Sequence, residues 1–213
     1  MTRLIVIRHG YSVTNASRRY TGHMDVPLTE LGLEQAQRVA DYLTTHEHID
    51  AVYASDLSRA VDTVAPTAKR LGLTVIPEAG LRELHMGLWE GRLFDEIKVE
   101  YREAFEHHRA DVDAPCTGGE STRQAFDRVT RTVKRILEEN EGKCVVIATH
   151  ALPCRVIDCM ANGAPCEAIR EQPFHENASI TIYDCENGCF TLKQMNLTTH
   201  LTGADSHTPK HLL

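Results

Sequence analysis

A chain of 213 residues with 42% apolar and 25% charged side chains can bury one sizeable core and sits in the ordinary globular range. Its formal charge of −7, from 23 basic and 30 acidic side chains, argues against nucleic-acid or membrane-surface partners, and no apolar run approaches the roughly 20 residues of a membrane span. Seven scattered cysteines without a matched metal-ligand spacing, and a strand that starts at once at the N-terminus, predict reduced thiols, no metal and a cytoplasmic chain.

The first strand is predicted at about 3–7, where apolar Leu4-Ile5-Val6-Ile7 runs straight into Arg8-His9-Gly10. Gly10 reads as a tight-turn residue that lets a ligand approach the backbone, and Tyr11 to Asn15 adds small hydrogen-bonding side chains. Thr29 can cap a helix over about 30–46. Ala51-Val52-Tyr53-Ala54 predicts the second strand. Ser55-Asp56 then predicts the cap of a helix from Leu57 to about Leu71, ended by Gly72, in which Pro66 implies a kink or break. Leu73 to Ile76 reads as the third strand, closed by Pro77. Residues 81–91 look irregular, 92–108 helical and 109–119 a loop. The capping box Ser121-x-x-Gln124 opens a helix to about Asn140. Cys144 to Ala148 is a strand ending in Thr149-His150, followed by a helix over about 152–162. Ser179 to Tyr183 and Phe190 to Met195 flank Asn187-Gly188, the signal of a hairpin with a type I′ turn. The tail 202–213 has no periodicity and reads as loose. Strands alternating with helices predict a three-layer α/β sandwich over 1–201. Its sheet is mostly parallel with an antiparallel edge, and helices cover both faces.

Four groups share one placement: Arg8-His9, Arg59, Glu83 and His150 each lie just past a predicted strand, where open α/β sheets bind ligands. Two arginines and two histidines at one mouth make a cage for a phosphoryl group, because guanidinium donors match phosphate oxygens in bidentate pairs. A neutral histidine nitrogen can attack phosphorus, and a carboxylic acid can protonate the departing alkoxide. Each residue alone has a plainer reading, as a turn, a surface helix position, a loop carboxylate or a buried histidine; their order and shared placement favour a site.

Arg8-His9-Gly10-Tyr11-Ser12-Val13-Thr14-Asn15, Ser55-Asp56-Leu57-Ser58-Arg59-Ala60, Leu81-Arg82-Glu83-Leu84 and Thr149-His150 resemble the ordered motifs of the histidine phosphatase (phosphoglycerate mutase-like) superfamily. Thr21-Gly22 and Asp25 to Gly32 share the likeness, which spans residues 1 to about 183. The resemblance implies that His9 is the phosphorylated nucleophile and Glu83 the proton donor. It implies that Arg8, Arg59 and His150 hold the phosphoryl group, with Asn15, Ser12, Thr21 and Gly22 assisting, and that no cofactor or metal is needed. The residue after the second histidine is Ala151 where the family commonly has glycine. Met86-Gly87-Leu88-Trp89-Glu90-Gly91, and the lack of a long insertion, resemble the phosphatase branch, including α-ribazole phosphatases, more than the cofactor-dependent mutases. In that branch the segment 92–118 is similar to a variable helical cover over the substrate. Its Glu96, Glu100, Glu103 and Glu106 do not suggest a polyanionic substrate, and Phe94, Tyr101 and Phe105 read either as core or as a ring-binding face. The expected activity is hydrolysis of a small phosphorylated metabolite. The alternatives are a cofactor-dependent phosphoglycerate mutase and a non-catalytic phospholigand-binding module. The sequence leaves monomer and homodimer open.

Overall fold

The central strands form where apolar, mainly β-branched residues concentrate, and the burial of both their faces explains why those runs do not alternate with polar residues. In the computed structural model, which describes residues 1–201, one sheet contains β1 (Thr2–Arg8), β2 (Ala51–Ala54), β3 (Val75–Pro77), β4 (Cys144–Thr149), β5 (Ile180–Glu186) and β6 (Cys189–Leu197). Their spatial order is β3-β2-β4-β1-β5-β6. The first four strands of that order run parallel, and β5 and β6 add an antiparallel edge. The tail predicted to be loose from Thr202 lies outside the described residues.

The helices are α1 (Val13–Ser17), α2 (Glu30–His46), α3 (Ser58–Leu71), α4 (Phe94–Glu100), α5 (Arg102–Ala110), α6 (Thr122–Glu139) and α7 (Ala151–Asn162). A 3₁₀ turn over Cys166–Glu171, absent from the sequence prediction, follows α7. Side chains of β1 alternate between two cores, as the strand period requires. Ile5 and Ile7 meet Val39 and Leu43 of α2 and Val64 of α3 on one face. Leu4 and Val6 meet Val129 and Val133 of α6 and Val156 of α7 on the other. Each such side chain contributes about 1.5–3 kcal/mol by burial, so the two helix layers lock the strand ends in place. A third, smaller cluster around Trp89, Ile97, Cys116 and Ala125 seats α4 and α5. No helix among the described residues is long and apolar enough to cross a membrane.

Two local expectations need correction. Helix α3 begins at Ser58, with Leu57 as its uncapped boundary residue. Asp56 instead forms a two-point ion pair with Arg82, both contacts 2.6 Å, and the Ser58 amide donates to Asp25 at 2.8 Å. The same helix runs through Pro66 as one element. Proline removes a single ladder donor, and buried Thr63, Val64, Thr67 and Ala68 hold both halves in line. Gly10 does not have a positive φ. Its constraint is close packing, since an added Cβ would lie 2.9 Å from the Gly32 carbonyl oxygen of α2. The hairpin turn agrees with its sequence signal, with φ of 50° at Asn187 and 78° at Gly188.

Candidate active site

The parallel pairing of β1 with β4 places Arg8 opposite Thr149, so the next residues, His9 and His150, leave neighbouring strands side by side. Their ring centroids are 5.1 Å apart, and both residues are buried. His9 Nδ1 lies 2.7 Å from its neighbouring Gly10 carbonyl, which fixes Nδ1 as the protonated nitrogen and leaves Nε2 with a lone pair. His150 Nε2 lies 2.8 Å from Ser55 Oγ, and its Nδ1 is buried without a partner among the described residues.

The arginines complete the ring. Arg8 donates to the His175 carbonyl at 2.6 Å and lies over the Phe174 ring at 4.8 Å. Arg59 donates to the carbonyls of Met24 at 2.8 Å and Gly22 at 2.9 Å. Both Nε atoms are buried and unpartnered among the described residues. Glu83 is the carboxylate that both guanidiniums feel. Its oxygens accept from Ala151 N at 3.0 Å and Leu152 N at 3.2 Å, the first turn of α7, and from its own neighbour Leu84 N at 2.9 Å. A carboxylate on a helix N-terminus satisfies donors that have no intrahelical acceptor. Ala151, in the position where glycine is common in the family, contributes one of those donors.

Burial, then the Arg59 charge, holds both histidines well below the ordinary imidazole range, with Arg8 adding to each shift. His150 therefore adds little to the positive charge of the site. Burial also pushes the arginines down, Arg59 to about 10, and the Glu83 charge opposes this in both. A histidine with a depressed folded pKa takes up protons more readily when unfolded, so its stabilising contribution is complete above about pH 6.5 and is lost as pH falls below that. Thermal stability is therefore expected to drop from about pH 7 to about pH 5. The double variant His9→Asn, His150→Asn should show a shallower drop by scanning calorimetry. His23, His108 and His200 are shifted the same way, so part of the slope should persist. Parallel slopes for variant and parent would mean that the two rings titrate normally.

The remaining predicted residues shape the mouth. Ser12 caps α1, and its Oγ and N–H both donate to Asn15 Oδ1, at 2.8 and 3.1 Å. Asn15 thus closes a capping box, the plainer of its two readings. Thr21 Oγ1 donates to Thr14 Oγ1 at 2.7 Å. Gly22 has φ of +53°, and a Cβ there would collide with Glu90 Oε1 at 2.1 Å. Glu90, Asn177 and Arg128 are supports that sequence reasoning did not find. Glu90 accepts from the amides of His23 at 2.8 Å and Met86 at 3.0 Å, joining the 20–24 loop to the 83–91 loop. Asn177 Nδ2 donates to the His9 carbonyl at 2.9 Å. Arg128 on α6 donates to the carbonyls of Gly80, Arg82 and Glu83 at 3.0, 3.0 and 3.1 Å, gripping the loop that carries Glu83. Each of these supports acts through backbone carbonyls or amides, and a backbone partner leaves no mark in the sequence. Among the described residues, no group of three or more His, Cys, Asp or Glu is arranged to hold a metal ion.

Comparison with known proteins agrees with this geometry. A family model described as the histidine phosphatase superfamily, branch 1, matches residues 4–198. The chain is 31% identical over 206 residues to phosphoserine phosphatase 1 of Hydrogenobacter thermophilus, covering 94% of this chain and 95% of that one. It is 41% identical over 151 residues to phosphoglycerate mutase-like protein 4 of Arabidopsis thaliana, a match that spans 69% of this chain and 65% of that relative's length. The crystal structure of the α-ribazole phosphatase from Shigella flexneri superposes with a TM-score of 0.84 at 28% identity, covering 92% of this chain and 96% of that one. With sheet order, ordered motifs and a matched domain in agreement, the chain is an enzyme of the histidine phosphatase superfamily, branch 1.

Proposed function

We propose that this enzyme hydrolyses a small phosphomonoester through a phosphohistidine on His9, without a metal ion. The observation that carries the reading is the set of three buried nitrogens (Arg8 Nε, Arg59 Nε and His150 Nδ1) around His9, none with a protein partner among the described residues. Leaving a buried donor unmade costs about 1–3 kcal/mol, more for a charged group, so three around one ring mark a place built for an anion.

In the first step the His9 Nε2 lone pair forms a bond to phosphorus while the ester P–O bond breaks. Arg8, Arg59 and neutral His150 donate to the phosphoryl oxygens as their charge rearranges, the service that divalent ions perform in other phosphoryl-transfer sites. Glu83 gives a proton to the departing oxygen. In the second step Glu83, now a carboxylate, takes a proton from water as that water attacks phosphorus, and the P–N electrons return to His9. The relatives named phosphoserine phosphatase and α-ribazole phosphatase support hydrolysis of a small metabolite.

The test is turnover with excess chelator present. Activity on an aryl phosphate and on small alkyl phosphates is expected to survive. Phosphate release should also exceed any interconversion of phosphoglycerates primed by a bisphosphorylated cofactor by at least about tenfold, a difference of about 1.4 kcal/mol in barrier. Loss of activity restored by a divalent ion would overturn metal independence, and efficient primed interconversion would make the enzyme a mutase.

A further inference from the structure

A cavity of about 620 Å³ lies beside the cage, between α4–α5 on one side and α7 with the 3₁₀ turn over Cys166–Glu171 on the other. Two of its lining residues touch the cage: Leu152, whose amide holds Glu83, and Phe174, whose ring is shared by two guanidiniums. Arg8 lies 4.8 Å from that ring centroid and Arg155 6.0 Å. The walls include the aromatic rings of Phe94, Phe105 and Trp89, while the charged lining consists of Lys98, Arg109, Arg155 and Arg170. Among the described residues, no aspartate or glutamate lines it, in a chain with seven more acidic than basic side chains, 30 against 23.

Arg155 feels the carboxylates of Glu83 and Asp158 without pairing with either. Among the described residues, none of Arg109, Arg155 and Arg170 forms an ion pair with a carboxylate; Lys98 does, with Asp95 at 3.4 Å. Arg155 donates only Nε, to the Pro173 carbonyl at 3.3 Å. Arg170 is anchored on α5 by the His108 carbonyl at 3.0 Å and the Arg109 carbonyl. Arg170 feels the repulsion of both Arg109 and Arg155, and Arg155 in turn repels Arg8 of the cage. None of Glu96, Glu100, Glu103 and Glu106 of the cover segment lines this cavity, although Glu106 lines a neighbouring one together with Lys98, Arg109 and Arg170. Glu96 and Glu100 pair with Arg92, and Glu106 with Arg102. Arginines brought together without ion pairs raise the energy of the free protein, and an anion arriving among them lowers it again.

We infer that the alcohol part of the substrate carries a second anionic group, such as a carboxylate, which lies in this cavity against Arg155, Arg170 and Arg109 while the phosphoryl group occupies the cage. This rests on the hydrolase reading for the phosphoryl end and names the class of molecule to which that end is attached. The aromatic walls cover the uncharged body between the two ends.

Binding measured by calorimetry separates this inference from the catalytic reading. The probes are non-hydrolysable alkyl phosphonates in a short series of lengths, each made with a terminal carboxylate, carboxamide or ammonium group. At the best length the carboxylate is expected to bind about ten- to a hundredfold more tightly than the carboxamide, the scale of a hydrogen bond to a charged partner. The ammonium compound should bind most weakly. Arg155→Met, which keeps an apolar stem against Phe174, and Arg109→Gln should each shrink the carboxylate-to-carboxamide ratio. Equal affinities, a preference for the ammonium compound, no binding of any probe, or a ratio unmoved by both substitutions would overturn the inference. A preserved carboxylate preference with no turnover of the matching phosphate esters would instead overturn the hydrolase reading alone.

Discussion

His9→Ala is expected to abolish the phosphoryl-enzyme and to lower turnover by roughly 10⁴-fold or more, because no second nucleophile is held at the centre of the cage. Protein quenched in acid after brief exposure to labelled substrate should carry acid-labile, base-stable phosphate on His9, and none in the variant. The prediction discriminates between two histidines only 5.1 Å apart. His9 Nδ1 is tied to the Gly10 carbonyl, which leaves Nε2 basic and free, whereas the Nε2 of His150 is engaged with Ser55 Oγ. Label on His150, on serine or on one of the cysteines would place the chemistry elsewhere. Wild-type levels of turnover in His9→Ala would reduce the cage to a binding site.

The strand residues and the four motif stations were legible because each depends on its own segment. An apolar run makes a strand wherever both sheet faces are covered, and the residue after that strand then lies at the sheet's carboxyl edge whatever the rest of the chain does. What stayed hidden depends on partners distant in sequence. The cap of α3 could not be read from Ser55-Asp56, because the acceptor for its first turn is Asp25 and Asp56 is occupied by Arg82. Arg128 reads as one more charged position on an amphipathic helix until its carbonyl partners at 80, 82 and 83 are seen. The charge of the 92–108 segment needs the fold for a related reason. Composition counts its glutamates, but only the fold shows that Glu96, Glu100 and Glu106 pair with Arg92 and Arg102 while Lys98 and Arg109 line the cavity.

Glu83→Gln should separate two kinds of substrate. A phenolate leaves without needing a proton, whereas an alkoxide is strongly basic, so loss of the acid is expected to slow alkyl phosphates by roughly 10²–10⁴-fold and aryl phosphates much less in the phosphorylation step. Water attack should suffer with either substrate, so the variant is expected to show a burst of phenol followed by slow turnover. The structural role of Glu83 has to be read apart from this. Its oxygens accept three backbone N–H groups, and glutamine keeps one carbonyl oxygen but turns an NH₂ toward donors. That exchange should cost about 1–3 kcal/mol and show as a lower melting temperature. Equal slowing of both substrates without a burst would leave Glu83 as a support for α7 alone, and Glu90 would be the next carboxylate to substitute.

The position of β1 in the sheet also governs how the protein can be born. Both neighbours of this N-terminal strand, β4 and β5, begin more than 130 residues downstream, at Cys144 and Ile180. During synthesis at roughly 5–20 residues per second, Leu4 to Ile7 wait on the order of ten seconds before either edge can be paired. The helices α2 and α3 can cover one face meanwhile, but the strand's hydrogen-bonding edges stay open, and closing so long a loop is slow. Aggregation of nascent chains should therefore be set by this segment, and Arg8 and His9 at its end, the first cage residues to be made, are among the last to reach their folded positions.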